Sequence, residues 1–311
     1  MTETMIAPAS DRTPARRATA PRPKLEAARQ PTTSRPKRGP AWARRGWVYA
    51  VLILAGAATV LPFVWMLLGS FKTQGELLRR PVTWWPQDPT LDNYVRWFTE
   101  LHIDRFFMNS LLVAVITVLG NLLFCSMVGY ALAKIDFAGK RVLFLLVMVT
   151  LMVPGVVTFV PLFVMVSKLG LVNTYPALIL PFLVSPLGVF LMRQFMMGIP
   201  DSLIEAARID GAGELRTFAR IVMPLCGPPL ATLGILTFLG SWNNFLWPLV
   251  AAQSEEKYTL PVALSLYSTG QNATDYGLML AGAVLVIAPI VALFVALQRF
   301  FIQGIASTGI K

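Results

Sequence analysis

Six apolar stretches set the terms for this chain: Gly46–Leu68, Phe107–Ala133, Val142–Val166, Tyr175–Met192, Pro229–Ala251 and Tyr276–Phe300. About 20 apolar residues span a bilayer as a helix. Hydrophobic residues make up 55% of the chain and charged ones 14%, against roughly 25% charge in soluble proteins. The fold class expected is therefore an all-α integral membrane protein with six transmembrane helices. The fourth stretch is the shortest. Without it, Lys168 and the charged 193–220 segment fall on the same side. The first stretch is not a signal peptide by this reading. It follows 45 residues, is long for a signal core, and lacks a clear small-residue cleavage site.

Charge sets the orientation. The formal net charge is +11, and 11 Lys/Arg against three acids precede Gly46. Basic residues flank spans on the cytoplasmic side. With the N-terminus inside, inner segments hold 20 basic residues and outer segments seven. Both termini are then cytoplasmic, and the distribution of basic charge argues for orientation in a membrane rather than for a nucleic-acid partner. Residues 1–40, rich in Pro, Ala, Thr and Arg, read as a disordered basic tail, and 41–311 as the six-span domain. Cys125 falls in a span and Cys226 near the cytoplasmic surface, so no disulfide framework is expected. His102 is the only histidine and no Cys/His cluster accompanies it, which argues against a metal site.

Several features inside the spans carry further expectations. Pro154 predicts a kink in the third span, and Pro181 and Pro186 interrupt the fourth. No charged residue lies near the centre of a span, which disfavours an ion-coupled secondary transporter or a voltage sensor. Trp242, Asn243 and Asn244 form a polar cluster in the fifth span. Three roles suit it: lining a translocation path, with Trp242 or Trp247 offering a flat face to a sugar; hydrogen-bonding neighbouring spans; or simple location at the membrane interface. The outer segment Lys72–Phe106 concentrates Trp84, Trp85, Tyr94, Trp97 and Phe98, which suits interfacial anchoring or a partner surface. No phosphate-binding loop and no nucleophile–base pair stands out, so no catalytic residue and no cofactor of its own is expected.

Residues 199–225 are too polar to span. Ser202-Leu203-Ile204-Glu205 fits a capping box, predicting a helix over about Leu203–Ile209. Asp210-Gly211-Ala212-Gly213 signals a turn, and a second helix follows over about Glu214–Ile221.

This segment also carries a resemblance. Glu205-Ala206-Ala207, Asp210-Gly211-Ala212, Phe218, Ile221 and Pro224 match the "EAA" loop of permeases from importers driven by ATP-binding cassette subunits. Met223 stands where leucine is usual. Leu61–Leu67, Asn109-Ser110, Tyr130-Ala131 and Ser241-Trp242-Asn243 extend the likeness over most of the chain after Arg44. It resembles carbohydrate importer permeases of the kind found as the second permease of maltose transporters. The resemblance implies the type I importer permease fold. It also implies a multi-pass inner-membrane location and coupling to the ATPase through residues Glu205 to Pro224. The implied partners are a second homologous permease, two ATP-binding subunits that use ATP and Mg2+, and an extracytoplasmic solute-binding protein. A sugar is the implied substrate, with glycerol phosphate or another related solute as the alternative. The loop Gln253–Asp275 corresponds to one that reaches into the binding protein. Asn244 replaces an acidic residue common in relatives.

Overall fold

The computed structural model describes residues 41–269 and 274–308, with side chains over 46–269 and 274–295. The chain divides into two units, Met1–Leu54 and Ala55–Lys311. The described part of the first unit opens helix α1, Ala41–Ser70. The expected basic tail, 1–40, lies outside the described residues, as does Lys311.

The second unit is helical throughout its ordered elements. After α1 come a short helix α2 (Asp92–Thr99) and a long α3 (Ile103–Lys134), which contains one wide π turn at Asn121–Cys125. The pair α4 (Lys140–Met152) and α5 (Gly155–Lys168) follows. Next are α6 (Tyr175–Ile179), α7 (Pro186–Met197), α8 (Asp201–Ile209) and α9 (Glu214–Leu225). The series closes with α10 (Gly227–Trp242), α11 (Leu246–Ala251), α12 (Leu260–Ser268) and α13 (Tyr276–Thr308).

Three helices are long and apolar enough to cross a membrane unbroken: Gly46–Ser70, Ile103–Lys134 and Tyr276–Val295. Three bent pairs bring the count to as many as six among the described residues, if each pair is one span. Proline explains two of the bends. The third stretch is broken by 105° rather than kinked, with Pro154 outside the helix and preceding the first residue of α5. A proline there loses no helical hydrogen bond, because its missing N–H would have been unpaired anyway. The fourth stretch runs from Tyr175 to Phe182 and resumes at Pro186, bent by 40°. Ser185 caps α7 by accepting the Gly188 N–H at 3.1 Å. The expected fifth span, Pro229–Ala251, is also discontinuous: α10 ends at Trp242 and α11 begins at Leu246.

Three apolar cores stabilise the unit. One joins Tyr130, Met192, Met196, Ile204, Phe218 and Val222 at the end that carries α8 and α9. A second gathers Trp97, Phe106, Trp242, Leu260 and Leu278 at the opposite end. The third joins Leu178, Trp247 and Ala251. A close helix contact runs between the end of α3 and α7 and depends on Gly129. A Cβ there would lie 2.8 Å from Met192 Cβ and 3.0 Å from the Arg193 nitrogen. Outward faces remain apolar, as at Met152 and Val156, which suits lipid or a partner span.

In the outer segment Trp97 is fully buried and donates its indole N–H to the Leu278 carbonyl at 2.9 Å. Trp84, Trp85 and Phe98 stay exposed. Asn109 and Ser110 tie α3 to the segment before α12: Asn109 Nδ2 donates to Glu256 and Tyr258 carbonyls at 2.9 Å, and Ser110 Oγ accepts the Leu260 N–H at 2.7 Å.

Candidate functional site: a polar helix pair strapped to the apolar bundle

Residues Asp201–Leu225 form two helices joined by a tight turn. The first starts earlier than the sequence predicts. Pro200 occupies the N-cap and Asp201 is already helical, so Ser202 lies inside the helix and the capping box does not form. The fixed φ of proline sets the chain entry upstream of the serine. Asp201 then occupies the first turn, where a negative charge favours the helix dipole. Gly211 carries φ +76°, a left-handed conformation that closes the turn. The second helix extends past Ile221 to Leu225 through a wide turn at Phe218–Val222, and the chain bends by 84° into α10.

The pair has two unlike faces. Ile204, Phe218 and Val222 are buried against α3 and α7, and Ala207 is buried too. Glu205, Ala206, Asp210, Gly211 and Pro224 are exposed, while Ala212 and Ile221 are half-buried. Two large apolar side chains also face outward, Ile209 at 86% and Leu215 at 70% exposure. Helix-pair amphipathicity accounts for the inner face only. The outer apolar residues have no partner within the described chain.

Polar contacts fasten the inner face to the end of α3. The Tyr130 hydroxyl donates to Glu214 Oε2 at 2.6 Å, and its ring packs on Phe218 with centroids 5.5 Å apart. Arg208 reaches Glu214 Oε1 through Nε at 3.0 Å and Nη2 at 2.8 Å, bridging the two short helices. The Tyr130 hydrogen bond first, then Arg208, holds the Glu214 carboxyl below the usual carboxylate range despite partial desolvation. Lys134 donates to the Ile199 carbonyl at 2.5 Å and to Asp201 Oδ1 at 2.6 Å. That bond and the lysine charge lower the Asp201 pKa. On α7, Arg193 donates to the Leu132 carbonyl at 3.2 Å and stacks over Phe144 at 3.8 Å.

Sequence reasoning singles out the short helices but not this strap. Tyr130 and Lys134 are four residues apart at the end of an apolar run, so they share one helix face. That spacing is the signal the sequence offers. Which loop groups they meet depends on the packing of α3 on α7.

The polar cluster at the end of α10 separates into unlike positions. Trp242 is buried, stacks on Phe238 at 5.5 Å and donates its indole N–H to the Val286 carbonyl at 3.0 Å. It offers no open face to a sugar within this chain, because Phe107 packs edge-on at 5.6 Å. Packing between spans is the role the geometry gives it. Asn243 is exposed and its amide donates back to the Leu239 carbonyl at 2.9 Å. Asn244 is half-buried, accepts the Trp247 N–H at 3.4 Å and borders a cavity of about 400 Å³ between α3, α7 and α10. Among the described residues, no cluster of His, Cys, Asp and Glu has a geometry suited to a metal ion.

Residues 125–307 match the family described as binding-protein-dependent transport system inner membrane component. The chain belongs to that family. It is a transmembrane permease subunit rather than an enzyme, with three unbroken apolar helices and up to six membrane-crossing elements among the described residues. The permease is 46% identical over 255 residues to the arabinooligosaccharides transport system permease protein AraQ of Halalkalibacterium halodurans, covering 81% of this chain and 91% of that one. It is 33% identical to the diacetylchitobiose uptake system permease protein NgcG of Streptomyces coelicolor, covering 84% and 87%. Among solved structures, a bacterial ABC transporter involved in the import of the acidic polysaccharide alginate shares the fold. The TM-score is 0.76 at 24% identity, covering 86% of this chain and all of that one. The permease therefore has the type I importer fold.

Proposed function

We propose that this permease imports an oligosaccharide as one half of a heterodimeric membrane channel. The other half is a homologous permease, two ATP-binding subunits supply the energy from ATP and Mg2+, and an extracytoplasmic binding protein delivers the sugar. The carbohydrate assignment leans on the substrates named for the similar permeases above. Both termini face the cytoplasm in this reading, which the basic residues beside the spans support.

One observation carries the coupling role: α8 and α9 are tied to α3 on one face while Ile209 and Leu215 stand bare on the other. Two exposed aliphatic side chains ringed by Glu205, Arg208, Asp210 and Arg216 suit insertion into a cleft with a charged rim. Residues Glu205, Ala206, Ala207, Asp210, Gly211, Ala212, Phe218, Ile221 and Pro224 then act as one body. The outer members meet the ATPase and the inner ones, Ala207 and Phe218, transmit its motion to the spans. Asn243 and Asn244 are assigned to the translocation path.

The test is co-purification from mild detergent followed by uptake in proteoliposomes. The wild-type chain is expected to recover an ATP-binding subunit and a second permease. Ile209→Asp and Leu215→Asp are expected to lose the ATP-binding subunit while keeping the second permease. Retention of the ATPase by both variants, with undiminished uptake, would refute docking through this face.

A further inference from the structure

We propose that the cavity between α3, α7 and α10 is a binding pocket for one uncharged, hydroxylated ring of the transported solute. This deepens the carbohydrate reading and rests on it. Two independent features converge on the cavity: its chemistry and the breaks in the surrounding helices.

The lining is mostly apolar, carries six polar side chains and holds no charge. Thr117 and Asn121 border it from α3, Ser185 from the start of α7, and Thr237, Ser241 and Asn244 from α10 and its end. Every other bordering residue is apolar or glycine, and no Lys, Arg, His, Asp or Glu takes part. The volume of about 400 Å³ falls within the range of small-molecule sites. The polar groups on its wall call for hydrogen-bond partners from water or a ligand, while the apolar remainder suits the C–H faces of a ring.

The six polar groups divide into a fixed wall and a presenting wall. Asn121 is saturated. Its Nδ2 donates to the Thr117 and Phe182 carbonyls at 3.2 and 2.6 Å, and its Oδ1 accepts from Ser185 Oγ at 2.7 Å and Cys125 Sγ at 3.3 Å. These bonds hold the broken backbone between α6 and α7. Opposite them, Thr237 and Ser241 are four residues apart and share a face of α10. Asn244 spends its Oδ1 on Trp247 N–H, which leaves its amide N–H groups for the cavity. Thr117, beside this wall, has a buried hydroxyl with no partner among the described residues.

The breaks explain why the pocket exists where it does. The chain is non-helical at Leu183–Ser185 and at Asn243–Phe245, and both interruptions abut the cavity through Ser185 and Asn244. Unwound backbone at membrane depth persists only inside protein or beside a water-filled path. Secondary transporters build substrate sites at such interruptions, and the same physics of unpaired backbone applies here. A hydroxylated neutral ring replaces water hydrogen bonds with hydroxyl and amide partners and lays its C–H faces on Phe182 and Leu233. A phosphate or carboxylate entering the pocket leaves water and meets no countercharge, which is costly.

The experiment uses the complete complex in proteoliposomes with a panel of neutral di- and trisaccharides, arabinotriose among them, and with sn-glycerol 3-phosphate. The carbohydrate reading is checked first, by wild-type uptake of a neutral saccharide. The near-isosteric pair Thr237→Val with Ser241→Ala, and separately Asn244→Ala, are then expected to raise KM for that sugar by about tenfold each. Ser241→Cys gives a second readout: N-ethylmaleimide is expected to label it, and the transported sugar to slow labelling several-fold. Sugar uptake with unchanged KM in assembled variants, and labelling indifferent to sugar, overturn the pocket while the carbohydrate reading stands. Wild-type uptake of sn-glycerol 3-phosphate and of no neutral saccharide overturns both.

Discussion

Tyr130→Phe removes one oxygen from the strap between α3 and α9 and little else. The ring stays packed on Phe218, and the buried position, 3% exposed, accepts phenylalanine without a volume change that matters. The bond lost is short, 2.6 Å, and ends on a carboxylate. Such a bond contributes about 1.5–3 kcal/mol when shielded. The Glu214 side chain is 43% exposed, so water recovers part of that, and about 1 kcal/mol remains. A change of that size raises the locally open population of the loop about fivefold. Hydrogen exchange on the purified complex is expected to accelerate by that factor over Glu214–Val222 and not over α12. Sugar transported per ATP hydrolysed is expected to fall, with membrane assembly intact. Glu214→Gln weakens both the Tyr130 bond and the Arg208 ion pair, and in the Tyr130→Phe background its further effect is expected to be smaller than in wild type, because part of what it removes is already gone. Additive losses, or exchange confined to wild-type rates, refute the idea that this bond holds the loop to the span.

Other perturbations test separate parts of the argument. Glu214 has a lowered pKa in the folded state, so its contribution to the strap is complete above its ordinary value of 4.5 and is lost as pH falls through the lower folded value. Exchange protection of the loop should decline over that acidic window, and Glu214→Gln should flatten the dependence. Gly211→Val places a β-branched residue at φ +76°, a strain of about 1–2 kcal/mol; uptake should drop while insertion, read by membrane fractionation, persists. Gly129→Ala puts a Cβ 2.8 Å from Met192 Cβ and 3.0 Å from backbone nitrogen. Overpacking of about 1–3 kcal/mol should lower the unfolding temperature in detergent and, unlike Gly211→Val, reduce the yield of assembled permease.

What the sequence discloses and what it hides follow one physical division. Apolar runs and turn glycines are local signals, so the spans, the turn at Gly211 and the two short helices are legible in the order of residues alone. The capping box is also a local signal, and it misleads, because Pro200 already fixes the helix entry upstream of Ser202. The depth of the break at Pro154 is hidden because a kink and a full turn of 105° have the same sequence signature. Trp242 shows the same limit. An indole beside two asparagines fits a sugar platform or a packing residue equally, and only the position of Phe107, Phe238 and the Val286 carbonyl separates them. The roles of Tyr130, Lys134 and Thr117 depend on which helices touch, which no local pattern contains.

The placement of these residues on α3 links the two proposed sites mechanically. Tyr130 and Lys134 hold the α8–α9 pair, and Asn121 and Thr117 border the cavity. From Asn121 to Tyr130 the helix covers nine residues, about 14 Å of axial rise. The helix is continuous across that distance apart from the wide turn at Asn121–Cys125, where the Asn121 side chain clamps the Phe182 carbonyl at 2.6 Å and accepts from Ser185. A force applied to the short helices through Tyr130 thus reaches the broken α6–α7 backbone through Asn121. α10 offers a less direct route, because the chain bends by 84° between α9 and α10. Asn121→Leu separates the routes: it keeps Tyr130 and Glu214 paired while freeing the α6–α7 break. Under the α3 route ATPase activity continues but sugar uptake per ATP collapses, while under the α10 route the ratio stays at its wild-type value.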